Sequence, residues 1–475
     1  MTSAAHIDLY QLTSLIPHYD AGRSKERVVM CFFSRRLPKN AHTGEPARGY
    51  LLFAGLQRCL DHLEHARFTD QDIDGLRAHP VLGPALTERP ELASALRNWR
   101  FSGTVWAPKE GTPVFAGPAM RTDGTRLSSN GVSPAAYCPY LVVETDVLSA
   151  KLIETPLLST INHMTMVASK ASRVVRAATA AGEGRRVLEF GQRRTHPIAA
   201  VDAALAAYIA GCASTSNVAA HLQHGVPMAG TMDHFAIQAC EQPGVPRHES
   251  EFSYFHEFHK AYPGRDILLV DTYDTFGERC GIRNAVAAAP GGPSGIRLDS
   301  DITADNVRKA RALLDELGAT DTLIFVSGGM DEHAIAELGD APVDGYGIGE
   351  RIVTSPDAPV GVGAVGKISM VSGRPSMKLS RGSGKATLPG QLQVWRDNGQ
   401  DLVGLAHEEH LGEKLLDVVW QGTKRLPPPS YEQVREYSLA ALAALPANKI
   451  EPRQEGVVVS DALAELVVQL VAEAS

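Results

Sequence analysis

A chain of 475 residues with a hydrophobic fraction of 44% can bury more than one core and has the balance of an ordinary globular protein. Its formal net charge of −8 argues against nucleic acid or an anionic membrane surface as the main partner. The six cysteines, Cys31, Cys59, Cys138, Cys212, Cys240 and Cys280, form no C-x-x-C pair, which argues against a zinc ribbon or redox motif and reads as reduced thiols of a cytoplasmic protein.

The first six residues lack the basic region and apolar run of a signal peptide. The most apolar internal stretch, residues 199–213, carries Asp202 and is too short to span a bilayer, so no membrane association is expected. Residues 1–150 read as an α+β domain. A helix starts near Asp8, residues 28–33 form an apolar strand followed at once by Arg35 and Arg36, and residues 50–63 form a helix with a Leu/Phe face. Residues 101–115 alternate like two short strands, while residues 117–137, with Gly, Ser, Asn and Pro, read as a surface loop or insertion. From 141 to 178 the spacing of Leu152, Leu157, Ile161, Met164 and Val167 predicts one long helix.

From Arg186 onward short apolar runs alternate with helices. Strands are predicted at 187–190, 226–229, 267–270, 295–298, 323–326 and 345–348, with helices at 201–209 and 304–317 among those between. In the last, Val307, Ala310, Leu313, Leu314 and Leu317 make one apolar stripe, Thr303 suits the N-cap and Gly318 the C-terminal stop. Repeated β-α units imply a parallel sheet, and about six in succession favour a barrel over an open sheet, here spanning residues 151–390. Residues 391–475 return to mixed structure and end in a helix after Ser460, whose Leu463, Leu466, Val467, Leu470 and Val471 dock on the body or on a partner subunit.

The ends of the middle strands carry groups suited to an anionic substrate. Glu189-Phe190-Gly191-Gln192-Arg193-Arg194 ends the first, and Gly230-Thr231-Met232-Asp233-His234 follows the second. Asp271-Thr272-Tyr273-Asp274-Thr275 and Arg297-Leu298-Asp299-Ser300-Asp301 end the next two, then Ser327-Gly328-Gly329 and Gly347-Ile348-Gly349. In a parallel barrel these ends share one face. Each motif alone has a plain structural reading: Asp at a strand end caps a helix, paired arginines lie on a surface, and glycine makes a tight turn without any ligand. Together, two late glycine turns make a phosphate cradle in which backbone N–H groups and a helix N-terminus share the charge. Arginines recognise carboxylate or phosphate, and paired aspartates suit ribose hydroxyls or Mg²⁺. The residues thus point to a phosphosugar-handling enzyme.

The sequence resembles the nicotinate phosphoribosyltransferase family from Asp8 to about Gly390. Besides the strand-end motifs, the matching stretches are Asp8-Leu9-Tyr10-Gln11-Leu12-Thr13, Phe32-Phe33-Ser34-Arg35-Arg36-Leu37-Pro38, Phe53-Ala54-Gly55-Leu56, Glu110-Gly111-Thr112-Pro113-Val114-Phe115, Glu154-Thr155-Pro156-Leu157-Leu158 and Ser214-Thr215-Ser216-Asn217. The resemblance implies an α/β fold of the type II phosphoribosyltransferase kind. That fold is an incomplete parallel barrel plus an α+β domain built from both chain ends, with residues 391–475 packing on the N-terminal domain, usually in a homodimer with shared active sites.

It also implies a reaction, the joining of nicotinate to phosphoribosyl pyrophosphate in NAD biosynthesis. Tyr10, from a neighbouring subunit, and Phe190 would sandwich the pyridine ring. Thr231 and Arg297 would hold the carboxylate, with Arg194 also favouring an acid. Arg193 would meet phosphoribosyl pyrophosphate, and Asp299 the ribose hydroxyls. Ser327, Gly328, Gly329, Gly347 and Gly349 would take the 5′-phosphate. Mg²⁺, through ligands the sequence does not specify but near Asp271, would neutralise the pyrophosphate. His234 would accept a phosphoryl group from the co-substrate ATP. Departures from the family pattern are Asp233 where a small residue is usual, Asp301 directly after Ser300, Glu350 after Gly349, and the length of residues 117–137. They leave open a relative acting on nicotinamide or another pyridine, or a catalytically silent nucleotide-binding homologue.

Overall fold

Between Arg186 and Ile348 the computed structural model holds one six-stranded sheet, in the spatial order Ile267–Leu269, Gly295–Leu298, Leu323–Ser327, Gly345–Ile348, Arg186–Glu189 and Ser214–Thr215. Every neighbouring pair is parallel. The structure describes residues 3–39, 44–354, 362–451 and 455–474; Met1 and Thr2, part of the segment read for a leader, lie outside them. The described chain divides into two compact units, residues 1–169 with 356–475, and residues 170–355.

In the second unit the strands are buried on both faces. Leu268, Ile296, Ile324, Val326 and Tyr346 are all fully buried, the pattern of a parallel sheet enclosed by its own crossover helices. The helix Ala304–Glu316 is capped by Thr303, whose hydroxyl accepts the N–H of Asn306 at 3.2 Å, and the helix buries the Val307, Ala310, Leu313 and Leu314 stripe. Lys170, fully buried, forms an ion pair with Glu332 at 2.7 Å.

One predicted strand is absent. Residues 226–229 make only a single bridge, Met228 with Thr215, because Pro227 has no N–H to give and the run is too short to form a ladder. The sheet therefore stays open between this edge and Ile267–Leu269, which makes it a curled, incomplete barrel.

In the first unit a seven-stranded antiparallel sheet combines strands from both chain ends. Arg27–Ser34 pairs with Ala364–Val371 on one side and Leu141–Asp146 on the other, and Gly103–Ala107 pairs with Asp417–Gly422. A six-stranded sheet joins Leu392–Asp397 and Gln400–Leu405 to Val457–Val459, Ala116–Met120 and Ala135–Tyr137. Three expectations are corrected here. Residues 141–146 are a central strand, since the β-branched run Val142-Val143 and the buried Thr145 suit a sheet, and the long helix begins only at Val147. Residues 50–63 split into the strand Leu51–Leu52 and the helix Leu56–His65. Gly55, at φ +105, turns the chain there, and Glu110 accepts the N–H groups of Gly55, Leu56 and Gln57 at 2.5, 3.1 and 3.2 Å. The stretch read as a loop at 117–137 is flanked and partly occupied by the two strands Ala116–Met120 and Ala135–Tyr137. The last helix, Asp461–Glu473, is capped by Ser460 and buries Leu463, Val467 and Val471. No helix among the described residues is long and apolar enough to cross a membrane.

Candidate active site

The C-terminal ends of the parallel strands surround a cleft of about 310 Å³ within the second unit. Leu188, Phe190, Met232, Ile267 and Phe325 give it apolar walls, while Gln192, Arg193, Ser216, Thr231, Asp233 and Arg297 supply polar groups. The strand pleat explains part of this set: Leu188 and Phe190 lie two apart, and Arg297, Phe325 and Gly345 sit side by side in register. Glycines on the last strand make room for the rings. A Cβ at Gly345 would lie 2.7 Å from the Phe325 ring, and one at Gly347 would run into the ring of Phe190. Gly347 is thus the seat of Phe190.

Arg297, with 17% of its side chain exposed, is held from several sides. Its Nη2 donates to the carbonyl oxygen of Met232 at 2.7 Å and its Nη1 to Ser327 Oγ at 3.1 Å, with Asp299 Oδ1 3.5 Å away. Burial lowers the guanidinium pKa and the carboxylates of Asp299 and Asp271 oppose that shift. Two of its five N–H donors are committed by these bonds, leaving others for a ligand. Ser327 Oγ also donates to Asp299 Oδ1, so this buried hydroxyl, assigned above to a phosphate, is engaged by its neighbours.

His234 opens the five-residue helix His234–Gln238, and Asp233 is its N-cap, accepting the N–H of Ala236 at 3.0 Å. The imidazole is 41% exposed. Its Nδ1 lies 3.1 Å from Thr272 Oγ1, which leaves Nε2 facing two carboxylates, Asp299 Oδ2 at 3.8 Å and Asp271 Oδ1 at 3.9 Å. Asp271 is 2% exposed. Its Oδ2 accepts from Asp299 N at 3.0 Å and Ser300 Oγ at 2.6 Å, while its Oδ1 is buried without a hydrogen-bond partner. Among the described residues no group of three His, Cys, Asp or Glu side chains is placed to hold a metal.

The other sequence-predicted residues divide. Arg193 lines the cleft, but Arg194 is directed to Glu350, 3.7 Å away, with both side chains largely exposed. That pair takes the Glu350 charge outward. Gly328, at φ +89, turns the chain against the carbonyl of Asp299, where a side chain would collide. The helix that follows, Glu332–Leu338, is already capped by the Asp331 carboxylate at 2.9 and 3.0 Å. The helix Glu350–Val353 after the second glycine turn differs, since its N-cap Gly349 brings no side-chain cap. Asp301 adopts φ +49, a left-handed conformation that aspartate tolerates better than most residues. Tyr10 lies in the first unit, 54% exposed, and is not part of the cleft lining. Gln192, Ser216 and Met232 stand in the quoted motifs without a role of their own, and Phe325 has no motif; for Phe325 the pleat alternation with Ser327 is an available signal.

An open parallel sheet with polar groups at its strand ends and an α+β unit drawn from both chain termini is the type II phosphoribosyltransferase fold. A family model for the nicotinate phosphoribosyltransferase N-terminal domain matches residues 6–130. The nicotinate phosphoribosyltransferase pncB2 of Mycobacterium tuberculosis is 34% identical over 463 residues, covering 93% of this chain and 88% of its own. The human nicotinate phosphoribosyltransferase is 31% identical, covering 90% and 82%. The crystal structure of human nicotinic acid phosphoribosyltransferase superposes with a TM-score of 0.77 at 26% identity, over 98% of this chain and 99% of that one. The chain belongs to the nicotinate phosphoribosyltransferase family.

Proposed function

We propose that this protein joins nicotinate to phosphoribosyl pyrophosphate, releasing nicotinate mononucleotide and pyrophosphate, in the cytoplasmic synthesis of NAD. The observation that carries this reading is Arg297, a fixed cation at the base of an apolar, phenylalanine-walled cleft. A flat aromatic acid satisfies both features: the ring meets Phe190 and the carboxylate meets Arg297 and Thr231. A neutral amide in the same place would offer the guanidinium's remaining N–H donors no charged acceptor, so nicotinamide is disfavoured.

The reaction needs charge placement more than proton transfer. As the bond from ribose C1 to pyrophosphate lengthens, positive charge builds on the sugar and the ring nitrogen attacks. Asp299, held by Ser327 and Arg297, faces the ribose, and Arg193 faces the departing pyrophosphate. The turn at Gly328 and Gly329, with Gly349, offers backbone to the 5′-phosphate. Tyr10 would complete the ring sandwich from a second copy of the chain. Large apolar side chains left exposed on the second unit, Ile198 at 74%, Leu222 at 77% and Phe235 at 74%, support such a homodimer.

The donor set fits Mg²⁺ carried in with pyrophosphate better than a resident ion: Asp271 Oδ1 is an unpartnered buried oxygen, but among the described residues no third protein ligand is placed beside it. Bound there, Mg²⁺ would supply neutralising charge to the leaving group. ATP coupling is the finer part of the proposal. Thr272 holds His234 Nδ1 and leaves Nε2 as the nitrogen to receive a phosphoryl group.

The test is pyrophosphate release by the purified chain with phosphoribosyl pyrophosphate, Mg²⁺ and nicotinate or nicotinamide, with and without ATP. Faster turnover with nicotinate is expected, and absence of product with either base would sink the reading. ATP stimulation lost in His234→Ala supports the phosphohistidine; equal rates with and without ATP remove that part alone. Sedimentation of the same sample reports the dimer.

A further inference from the structure

The candidate site leaves one buried acid unused. Glu189 ends the strand Arg186–Glu189 and is 2% exposed. Its Oε1 accepts the backbone N–H of Gly191, and its Oε2 accepts the hydroxyl of Thr215 at 2.6 Å. Thr215, fully buried on the neighbouring strand, accepts in turn the N–H of Asn217 at 3.0 Å. Asn217 caps the helix Val218–His224 through Ala220 N at 2.9 Å and donates its side-chain amide to Gln192 Oε1. The connections form a ring that leaves the 190–193 turn at Gly191 and returns to it at Gln192. The Glu189 carbonyl also accepts Ser216 N at 2.9 Å.

Phe190, Gln192, Arg193 and Ser216, which line the cleft, all lie on the two segments this ring ties together. Both Glu189 oxygens serve as acceptors, and the Gly191 and Asn217 donors are backbone groups that cannot reverse their role. Close packing adds to the demand, because a side chain at Gly191 would collide with Glu189 and Val353.

We infer that Glu189 is a positioning residue: it touches no substrate but fixes the turn at 190–193 against the Ser214–Asn217 segment, so that the Phe190 ring and Arg193 face the cleft. This rests on the transferase reading above. Burial raises the Glu189 carboxyl above the usual range while Thr215 and Gly191 pull it back down, as expected for an acid built into a network and not exposed to solvent.

Two neighbours provide the test. Glu189→Gln keeps the size but replaces one acceptor by a donor, and Thr215→Val removes the hydroxyl at nearly constant volume. In the full chain, both should raise the KM for nicotinate about tenfold, the loss of one charge-assisted hydrogen bond, with kcat changed less than KM. Thr215→Ser should restore the wild-type value. Hydrogen exchange of the peptide covering 190–196 should accelerate in Glu189→Gln relative to the rest of the second unit. Folded variants with unchanged KM and unchanged exchange at 190–196 would overturn the inference, as would a uniform acceleration across the unit with KM unaltered. A wild-type chain that makes no product fails the transferase reading instead, and the exchange measurement tells the two failures apart.

Discussion

Arg297 Nη2 donates to the carbonyl oxygen of Met232 at 2.7 Å, so the cation at the base of the cleft is tied to the Gly230–His234 stretch at its rim. The bond uses a planar guanidinium fork that lysine lacks. Arg297→Lys should therefore behave much like Arg297→Ala, both lowering kcat/KM for nicotinate by about 2 to 5 kcal/mol, the range for truncating a buried, hydrogen-bonded charge. Steady-state kinetics decide it. Near-normal catalysis by the lysine variant would mean that any positive charge suffices there.

Ser327 makes a second link, between Arg297 at 3.1 Å and Asp299. Its hydroxyl spends its proton on Asp299 and a lone pair on Arg297. Ser327→Ala leaves both charged neighbours short of a partner, so KM should rise for nicotinate and for phosphoribosyl pyrophosphate together, each by about tenfold, equivalent to about 1.4 kcal/mol. Ser327→Thr keeps the hydroxyl and should be milder. A rise confined to phosphoribosyl pyrophosphate would favour the direct phosphate contact that the sequence alone suggested.

The β-α beat was legible because parallel strands buried on both faces are written as short apolar runs, and Gly295–Leu298 and Gly345–Ile348 were found to the residue. Residues 141–146 were misread because an apolar β-branched run leading into a long helical stripe has no breaker to divide it; only pairing with Arg27–Ser34 and Gly103–Ala107 makes it a strand. In the site, polar residues at strand ends announced themselves by type. Phe325 and Met232 did not, since apolar walls look like core until the cavity beside them is seen. Sequence does not report that the Ser327 hydroxyl, expected at the phosphate, also bonds Asp299. Asp233, which the sequence shows only as a departure from the family pattern, has a capping bond at 3.0 Å that gives it a structural role.

That cap allows charge and structure to be separated at Asp233. Asp233→Ser keeps a capping oxygen and removes the carboxylate beside His234, whereas Asp233→Ala also loses the cap, at a cost of about 1 kcal/mol. If the carboxylate repels an incoming phosphoryl group, the serine variant should incorporate more phosphate from γ-labelled ATP than the wild type, with an unchanged melting temperature. Lower incorporation in the serine variant would instead assign the carboxylate to orienting the imidazole.

His62 gives the first unit a pH dependence of its own. It lies on the helix Leu56–His65, 7% exposed, with Nε2 buried and lacking a hydrogen-bond partner. Burial, with His6 adding to it, pushes the imidazole down to about 4 from an ordinary value of 6.5. Above about pH 6.5 the ring is neutral in folded and unfolded chains alike, and its full contribution is present. As pH falls, the unfolded chain takes up the proton first, so stability is lost between about 6.5 and about 4 and levels off below. At 1.36 kcal/mol per pH unit the loss reaches about 2 kcal/mol by about pH 5. All four tryptophans, Trp99, Trp106, Trp395 and Trp420, fall within the first unit, so urea unfolding followed by their fluorescence reports on that unit. His62→Leu keeps the site apolar and should lose about 2 kcal/mol less than the wild type between pH 7.5 and pH 5, because other groups titrate equally in both. Parallel stability curves for the two proteins across that interval would show that His62 is not held neutral in the fold.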